Sequence, residues 1–163
     1  MESQRASPTV DLWRISNYVE LTGEGGLLAS ARWHTEGLRI VYLAESPVGA
    51  IVERLVHLSN MKPDGLLPRT YQLLRVRIGA TCKIKTLDPP IGISWKIDEL
   101  STRIIGSSWL RSLETPLARV PSVLAPYTWN YLLNPEHPEA PQVQIVEVIK
   151  ERFDNRLFRF GPR

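Results

Sequence analysis

The sequence has almost no cysteine and no long apolar run. Cys82 is the single cysteine among 163 residues, which excludes an intrachain disulfide and a zinc site built from several thiolates. The longest uninterrupted apolar run, residues 40–44, has five residues, whereas a membrane-spanning helix needs about 20. The first ten residues also lack the apolar core of a signal peptide. These absences predict a soluble, cytoplasmic protein that does not associate with membranes.

Several common nucleotide-binding and catalytic motifs are missing as well. No glycine is followed by Lys-Ser or Lys-Thr, and residues 23–26 lack the third glycine of the dinucleotide fingerprint, so P-loop and Rossmann proteins are excluded. No G-x-S-x-G elbow occurs. The histidines, His34, His57 and His137, are far apart and none belongs to an H-E-x-x-H motif. The sequence therefore predicts no metal site.

The charge of the chain is mildly basic and mixed. The formal net charge is +3 and no run of five like charges exists, which argues against direct nucleic-acid binding. There are 15 arginines and 5 lysines. Because a guanidinium binds phosphates and carboxylates with a two-pronged fork, this excess favours a phosphate-bearing ligand or an acidic partner. For any single arginine, a solvated surface position is the alternative.

The pattern of apolar residues predicts one mixed domain over residues 1–163, of the α+β class. In residues 10–15 the alternation places Arg14 and Leu12 on the face opposite Trp13. The other predicted elements are strands at 38–44, 71–78, 82–87, 117–120 and 143–149, helices from Ser46-Pro47 to about Ser59 and at 98–113, a glycine-rich loop at 22–26 and a proline-rich loop at 125–141.

The first predicted helix has a face of small residues around one carboxylate. Gly49 and Ala50 share this face with Glu53 and His57. Such a face leaves room for a ligand beside Glu53. It is equally suited to a close-packed neighbour, with Glu53 paired to His57 one turn later.

Four segments, LWRI (residues 12–15), RWHTEGLRIVYLAESPVGAIVERLVHL (32–58), VPSVLAP (120–126) and NYLLNPEHP (130–138), together resemble the RES domain. This family is named for an arginine, a glutamate and a serine, and it supplies the toxin of bacterial toxin–antitoxin pairs. The resemblance covers about residues 12–156 and assigns the three residues to Arg14, Glu53 and Ser122. The Arg32-Trp33 pair and Tyr42 also match. Ser30-Ala31-Arg32-Trp33-His34 departs from the usual Gly-Gly-Arg-Trp-Asn, so the resemblance gives no role to His34.

The resemblance implies an ADP-ribosyltransferase-like fold and NAD as substrate rather than cofactor. The implied activity is cleavage of the nicotinamide–ribosyl bond by hydrolysis or phosphorolysis. That cleavage creates an oxocarbenium-like cation, which a carboxylate such as Glu53 stabilises. The implied catalytic residues are Glu53, Arg14 and Ser122, and the implied substrate-binding residues are Arg14, Arg32, Tyr42 and Ser122.

Three other functions remain open at this point. The same site can transfer ADP-ribose to a cellular protein, with water or phosphate as the competing acceptors. The basic charge and the RLFRF segment at residues 156–160 suggest a toxin that acts on RNA. The third alternative is an inactive interaction module. The oligomeric state is not defined by the sequence.

The resemblance also implies a partner. Antitoxins of this family resemble helix-turn-helix proteins, and an enzyme that consumes NAD has to be restrained in its own cell. We therefore expect the antitoxin to cover the mouth of the site between residues 22–34 and 125–141. The complex, rather than this chain alone, would then bind DNA.

Overall fold

The computed structural model describes residues 10–61, 68–91 and 94–158. The helices and strands are β1 (Asp11–Ile15), α1 (Gly25–Leu28), β2 (Val41–Ala44), α2 (Pro47–Met61), β3 (Thr70–Ile78), β4 (Ile84–Thr86), α3 (Glu99–Ser112), β5 (Leu117–Pro121), β6 (Trp129–Leu133) and β7 (Val143–Arg152), with short 3-10 turns at Ala140–Gln142 and Asn155–Phe158.

Within these ranges the strands form one seven-stranded mixed sheet in the order β4-β5-β6-β2-β1-β3-β7. Only β4 and β5 run parallel, and every other neighbouring pair is antiparallel. Helices pack on the sheet, so the predicted single α+β domain is confirmed. Among the helices described, none is long and apolar enough to cross a membrane.

The alternation of side chains along the strands divides the core into two parts. The face that we call the loop face carries a cluster around Leu12, Val41 and Leu74, against which loop residues such as Leu21 pack. The opposite face, called the helix face, carries the remaining core residues and packs against α2 and α3. Its side chains come from Trp13, Ala44, Leu73, Ala118, Val120 and Leu132.

The start of α2 follows from its local sequence. The backbone N–H of Gly49 donates to the Ser46 Oγ at 3.0 Å, and the helix begins at Pro47, whose fixed φ suits the first helical position. The predicted start is therefore confirmed, and the helix ends at Met61, two residues after the prediction.

A glycine brings α3 close to the segment before β2. A Cβ on Gly106 would lie 1.9 Å from the carbonyl oxygen of Trp33, so only glycine permits this approach. Three polar side chains of α3 also hold the segment. Thr102 donates to the carbonyl of Arg32 at 2.8 Å, Arg103 donates to the carbonyl of Ala31 at 3.0 Å, and the N–H of Thr35 donates to Ser107 at 2.9 Å.

The prediction of a loop over residues 125–141 is wrong, because β6 (Trp129–Leu133) lies within it. This strand pairs with β2 on one side and β5 on the other, and its Leu132 and Leu133 are buried. The pairing partners are distant in the sequence, so the surrounding prolines conceal a strand stabilised by tertiary contacts.

Several other predicted boundaries also shift. The predicted strand 38–44 begins only at Val41, because the N–H of Ile40 donates to the carbonyl of Gly23 in the preceding loop. The predicted strand 143–149 continues to Arg152. The predicted glycine-rich loop includes the start of α1. The RLFRF segment, at residues 156–160, lies partly outside the described residues.

Candidate active site

Glu53 lies on α2 with its carboxylate against two polar side chains from the sheet. The Asn130 Nδ2 donates to the Glu53 Oε1 at 2.7 Å. The Ser122 Oγ donates to the same oxygen at 3.4 Å, which is near the long limit for a hydrogen bond. Glu53 is half-buried and Ser122 is 6% exposed. The predicted proximity of Glu53 and Ser122 is therefore present in the structure.

The sheet register explains why these residues meet. Asn130 on β6 pairs with Ala44 on β2 and with Val120 on β5, so its side chain lies on the helix face. Ser122 follows two residues after Val120 and continues the same face. The helix α2 packs on this face through Ala50, which belongs to the cluster of Ala44 and Leu73. Glu53 lies about one helical turn after Ala50 on α2, which places it over the end of the sheet.

The small residues of α2 serve mainly for packing. Ala50 is buried against the sheet, and Gly49 lies close to Ser46 and Ala44. The close-packing alternative therefore describes these two positions. Glu53 does not follow that alternative, because within the described residues its hydrogen bonds go to Asn130 and Ser122 rather than to His57.

Ser122 has two functions at once. Its backbone N–H donates to the carbonyl of Thr128 at 2.8 Å, and its Oγ accepts from the N–H of Leu124 at 3.1 Å. It therefore organises the turn after β5, and with the same hydroxyl it contacts Glu53. Ser122 is thus both a turn residue and a partner of the Glu53 carboxylate.

Tyr42 lies on the helix face close to Asn130. It pairs with Leu132 across the β2–β6 ladder, which makes Asn130 its diagonal neighbour at roughly 7–8 Å. The N–H of Trp33 donates to the Tyr42 hydroxyl at 3.2 Å, and the His34 Nδ1 lies 2.9 Å from the same oxygen. Burial raises the pKa of Tyr42 well above its ordinary value, so the hydroxyl keeps its proton.

His34 lies against the Tyr42 hydroxyl. The Tyr42 oxygen accepts from the Trp33 N–H and shares a second hydrogen bond with the His34 Nδ1, whose donor is set by the tautomer of the imidazole. Burial lowers the pKa of His34, and the residue is only 3% exposed. The structure thus gives His34 a contact that the sequence left open: it holds Tyr42.

Arg32 lies at the Tyr42 end of the site, but its guanidinium is engaged. Nη1 donates to the carbonyl of Trp95 at 2.9 Å, and Nη2 donates to that of Lys96 at 3.1 Å. Nη2 also lies 3.3 Å from Glu99 Oε1. In this conformation Arg32 ties residues 95–99 to the segment before β2.

Arg14 is separated from this group. Trp13 pairs with Ala44 on the helix face, so its neighbour Arg14 leaves the sheet on the loop face. There the Arg14 Nη1 donates to the carbonyl of Glu20 at 3.0 Å. Burial of the guanidinium lowers the pKa of Arg14. The structure therefore brings Glu53, Ser122 and Tyr42 to one face and leaves Arg14 on the other.

Asn130 is the site residue that the sequence analysis missed. It lies in the NYLL segment, and the alternation of Asn130 and Leu132 with Tyr131 and Leu133 is the signal that could have revealed a strand with a polar group on one face. Within the described ranges, no group of three or more histidine, cysteine, aspartate or glutamate side chains is placed to hold a metal.

The fold and the site define a small α+β domain whose candidate catalytic group is a carboxylate held by neutral donors. The RES domain family model matches residues 11–155. The chain therefore belongs to the RES domain family.

Two relatives and one solved structure are similar over nearly the whole chain. Toxin Res of Pseudomonas putida is 42% identical over 147 residues, covering 90% of this chain and 99% of the relative. The Prs ADP-ribosylating toxin of Sphingobium sp. is 32% identical over 164 residues, covering 93% and 98%. A chain in the crystal structure of the M. tuberculosis MbcT-MbcA toxin-antitoxin complex shares this fold, with a TM-score of 0.70, 17% identity and coverage of 93% and 87%.

Proposed function

We propose that this chain is the toxin of a toxin–antitoxin pair and that it cleaves NAD at the nicotinamide–ribosyl bond. Membership of the RES family and the names of its relatives support the role of toxin. The observation that carries the enzymatic proposal is the Glu53 carboxylate, half-buried at the edge of the helix face and held by Asn130 and Ser122.

The chemistry of this bond requires a negative charge near the ribose. When the bond breaks, its electron pair leaves with nicotinamide and positive charge develops on the ribosyl carbon. A carboxylate beside that carbon stabilises the transition state more than the ground state. Water then adds its oxygen to the carbon and releases a proton, whereas phosphate as acceptor adds one of its oxygens. The reaction as proposed consumes NAD and uses no further cofactor.

The surrounding residues suit different parts of the substrate. The half-buried ring of Tyr42 offers a surface for the nicotinamide or ribose. Arg32 is better placed than Arg14 to bind the pyrophosphate of NAD, because it lies at the Tyr42 end of the site. On binding, it would exchange its hydrogen bonds to the Trp95 and Lys96 carbonyls for hydrogen bonds to phosphate. Arg14, on the loop face, is assigned a structural function.

Incubation of the purified chain with NAD, with and without phosphate, tests the proposal. We expect nicotinamide in both reactions, and the second product identifies the acceptor. Glu53→Gln keeps the shape of the side chain and removes its charge, so turnover should fall by roughly 10²–10³-fold while folding is retained. The matched control is Glu151→Gln, at an exposed position on β7. Near-full turnover by Glu53→Gln would contradict the mechanism.

Transfer of ADP-ribose to a protein is the second candidate, because one relative is named an ADP-ribosylating toxin. The same carboxylate serves this reaction, and a nucleophilic side chain of the target replaces water. Mass spectrometry of proteins incubated with the chain and NAD distinguishes the two reactions. A stoichiometric ADP-ribose adduct with little free ADP-ribose would favour transfer.

The partner proposed for this chain is a helix-turn-helix antitoxin that covers the site. Exposed apolar side chains lie in both segments that the sequence analysis assigned to the mouth: Leu28 is 80% exposed, and Tyr127 is fully exposed. Tyr127 also has a positive φ of 57°, an unusual backbone conformation for a large residue. Apolar groups presented in this way are suited to burial by another protein.

A further inference from the structure

We infer that Asn130 is a positioning residue that acts on the reaction through the Glu53 carboxylate. The inference rests on the proposed function, because it assigns to Asn130 the orientation of the group that stabilises the ribosyl cation. Asn130 belongs neither to the arginine, glutamate and serine of the family name nor to the residues predicted from the sequence.

The identity of the donor follows from chemistry. A carboxylate only accepts hydrogen bonds, so the atom that Asn130 turns to Glu53 has to be its amide nitrogen. The distance of 2.7 Å between Nδ2 and Oε1 is at the short end of the range for N–H···O bonds and is typical of a charged acceptor. The contact is therefore a strong one for a neutral donor.

The strand that carries Asn130 holds its side-chain amide in place. Its backbone lies in β6, which has a paired strand on each side, opposite Ala44 and Val120. Glu53, in contrast, projects from a helix through three rotatable bonds. Since the strand is held on both sides and the glutamate is not, the amide determines where the carboxylate lies.

The arrangement also selects one carboxylate oxygen for the substrate. Within the described chain, the hydrogen bonds of Glu53 to Asn130 and Ser122 both end on Oε1. Oε2 is thus the oxygen left for the ribosyl carbon. Ser122 is the weaker of the two donors, because its contact is 0.7 Å longer, at 3.4 Å against 2.7 Å.

The test is a mutant cycle between Asn130 and Glu53 in the full chain, with NAD as substrate. Asn130→Ala should lower kcat by about 10- to 100-fold, as expected for a lost hydrogen bond to a charged group, and should change KM by less than about twofold. In the Glu53→Gln background the same substitution should have little further effect, because the group it orients has already lost its charge. A purely structural function would not produce this dependence.

Two further variants and a control complete the experiment. Asn130→Gln keeps a polar amide but moves it by one methylene, so it should also lower kcat. It replaces Asn130→Ala if the alanine variant does not fold. Asn130→Asp places a second carboxylate at Glu53. Repulsion between the two carboxylates should displace Glu53 and lower kcat at least as far as Asn130→Ala does. Asn17→Ala, at an exposed position after β1, should leave turnover unchanged.

The outcomes separate the inference from the proposed function. If the wild-type chain does not turn over NAD, the proposed function is wrong and the inference falls with it. If the wild type is active and the folded Asn130 variants turn over NAD at its rate, only the inference is overturned. Equal losses from Asn130→Ala with and without Glu53→Gln would also overturn it, because Asn130 would then act independently of the carboxylate.

Discussion

At the scale of single residues, the site depends on how a few polar groups are partnered. Glu53 receives two donors on one oxygen, and Tyr42 is held by Trp33 and His34. The sequence could predict Glu53, Ser122 and Tyr42 as neighbours only through the family resemblance. The alternation of side chains could place Arg14 and Trp13 on opposite faces of the sheet. It could not predict which of the two faces packs against α2, because that depends on tertiary contacts.

The two arginines should therefore respond differently to truncation. Arg14→Ala removes a half-buried side chain and its bond to the Glu20 carbonyl, so it should lower the free energy of unfolding by about 1–3 kcal/mol. The folded fraction should keep a near-normal kcat/KM for NAD. Arg32→Ala should instead raise KM, since the pyrophosphate is present in both ground and transition states. Urea unfolding and steady-state kinetics measure the two effects; a raised KM in Arg14→Ala alone would reverse the assignment.

His34 should make stability depend on pH. Burial holds the pKa of His34 below its ordinary value of 6.5, so between these two values the unfolded chain binds more protons than the folded one. The free energy of unfolding is therefore at its full value above pH 6.5 and decreases as the pH falls below it. His34→Asn should weaken this decrease. Denaturation at about pH 7.5 and pH 5 measures it, and His57→Asn, at an exposed position, is the control.

At the scale of elements, local signals predict the two long helices and every described strand except β6. The Ser46-Pro47 start of α2 and the Asp98 cap of α3 are encoded within a few residues. The strand β6 is not, because it is stabilised by β2 and β5, which are distant in the sequence. Asn130 was missed for the same reason: its strand was not recognised.

The contact between α3 and the segment before β2 makes Gly106 sensitive to substitution. In Gly106→Ala the new Cβ would meet the carbonyl oxygen of Trp33 at 1.9 Å, so the helix has to move away. We expect a loss of about 1–3 kcal/mol, the usual cost of overpacking, or more. Gly25→Ala is the matched control, because nothing lies within 4 Å of its Cβ position. Thermal unfolding of both variants would show the difference; equal melting temperatures would contradict the close approach.

At the scale of the whole molecule, control of the proposed NAD-cleaving activity is expected to be steric. The carboxylate is already oriented by the sheet, so an antitoxin needs only to exclude the substrate. The antitoxin complex should therefore bind promoter DNA and have no NAD turnover. The isolated chain should turn over NAD and should not bind the promoter DNA. Leu28→Ser and Tyr127→Ser, both exposed, should weaken the complex without changing turnover of the free chain. A complex with undiminished turnover would refute steric control.

The position of β6 in the sheet also bears on how the chain is made. Glu53 emerges from the ribosome early, but Asn130 and the strand that carries it come late, and β2 gains its β6 partner only then. A nascent chain thus carries the Glu53 carboxylate through 77 further residues of synthesis before Asn130, which orients it, is added. Under the proposed function, NAD turnover begins only after Asn130, residue 130 of 163, has been translated and β6 has folded, which gives an antitoxin made at the same time an interval in which to fold.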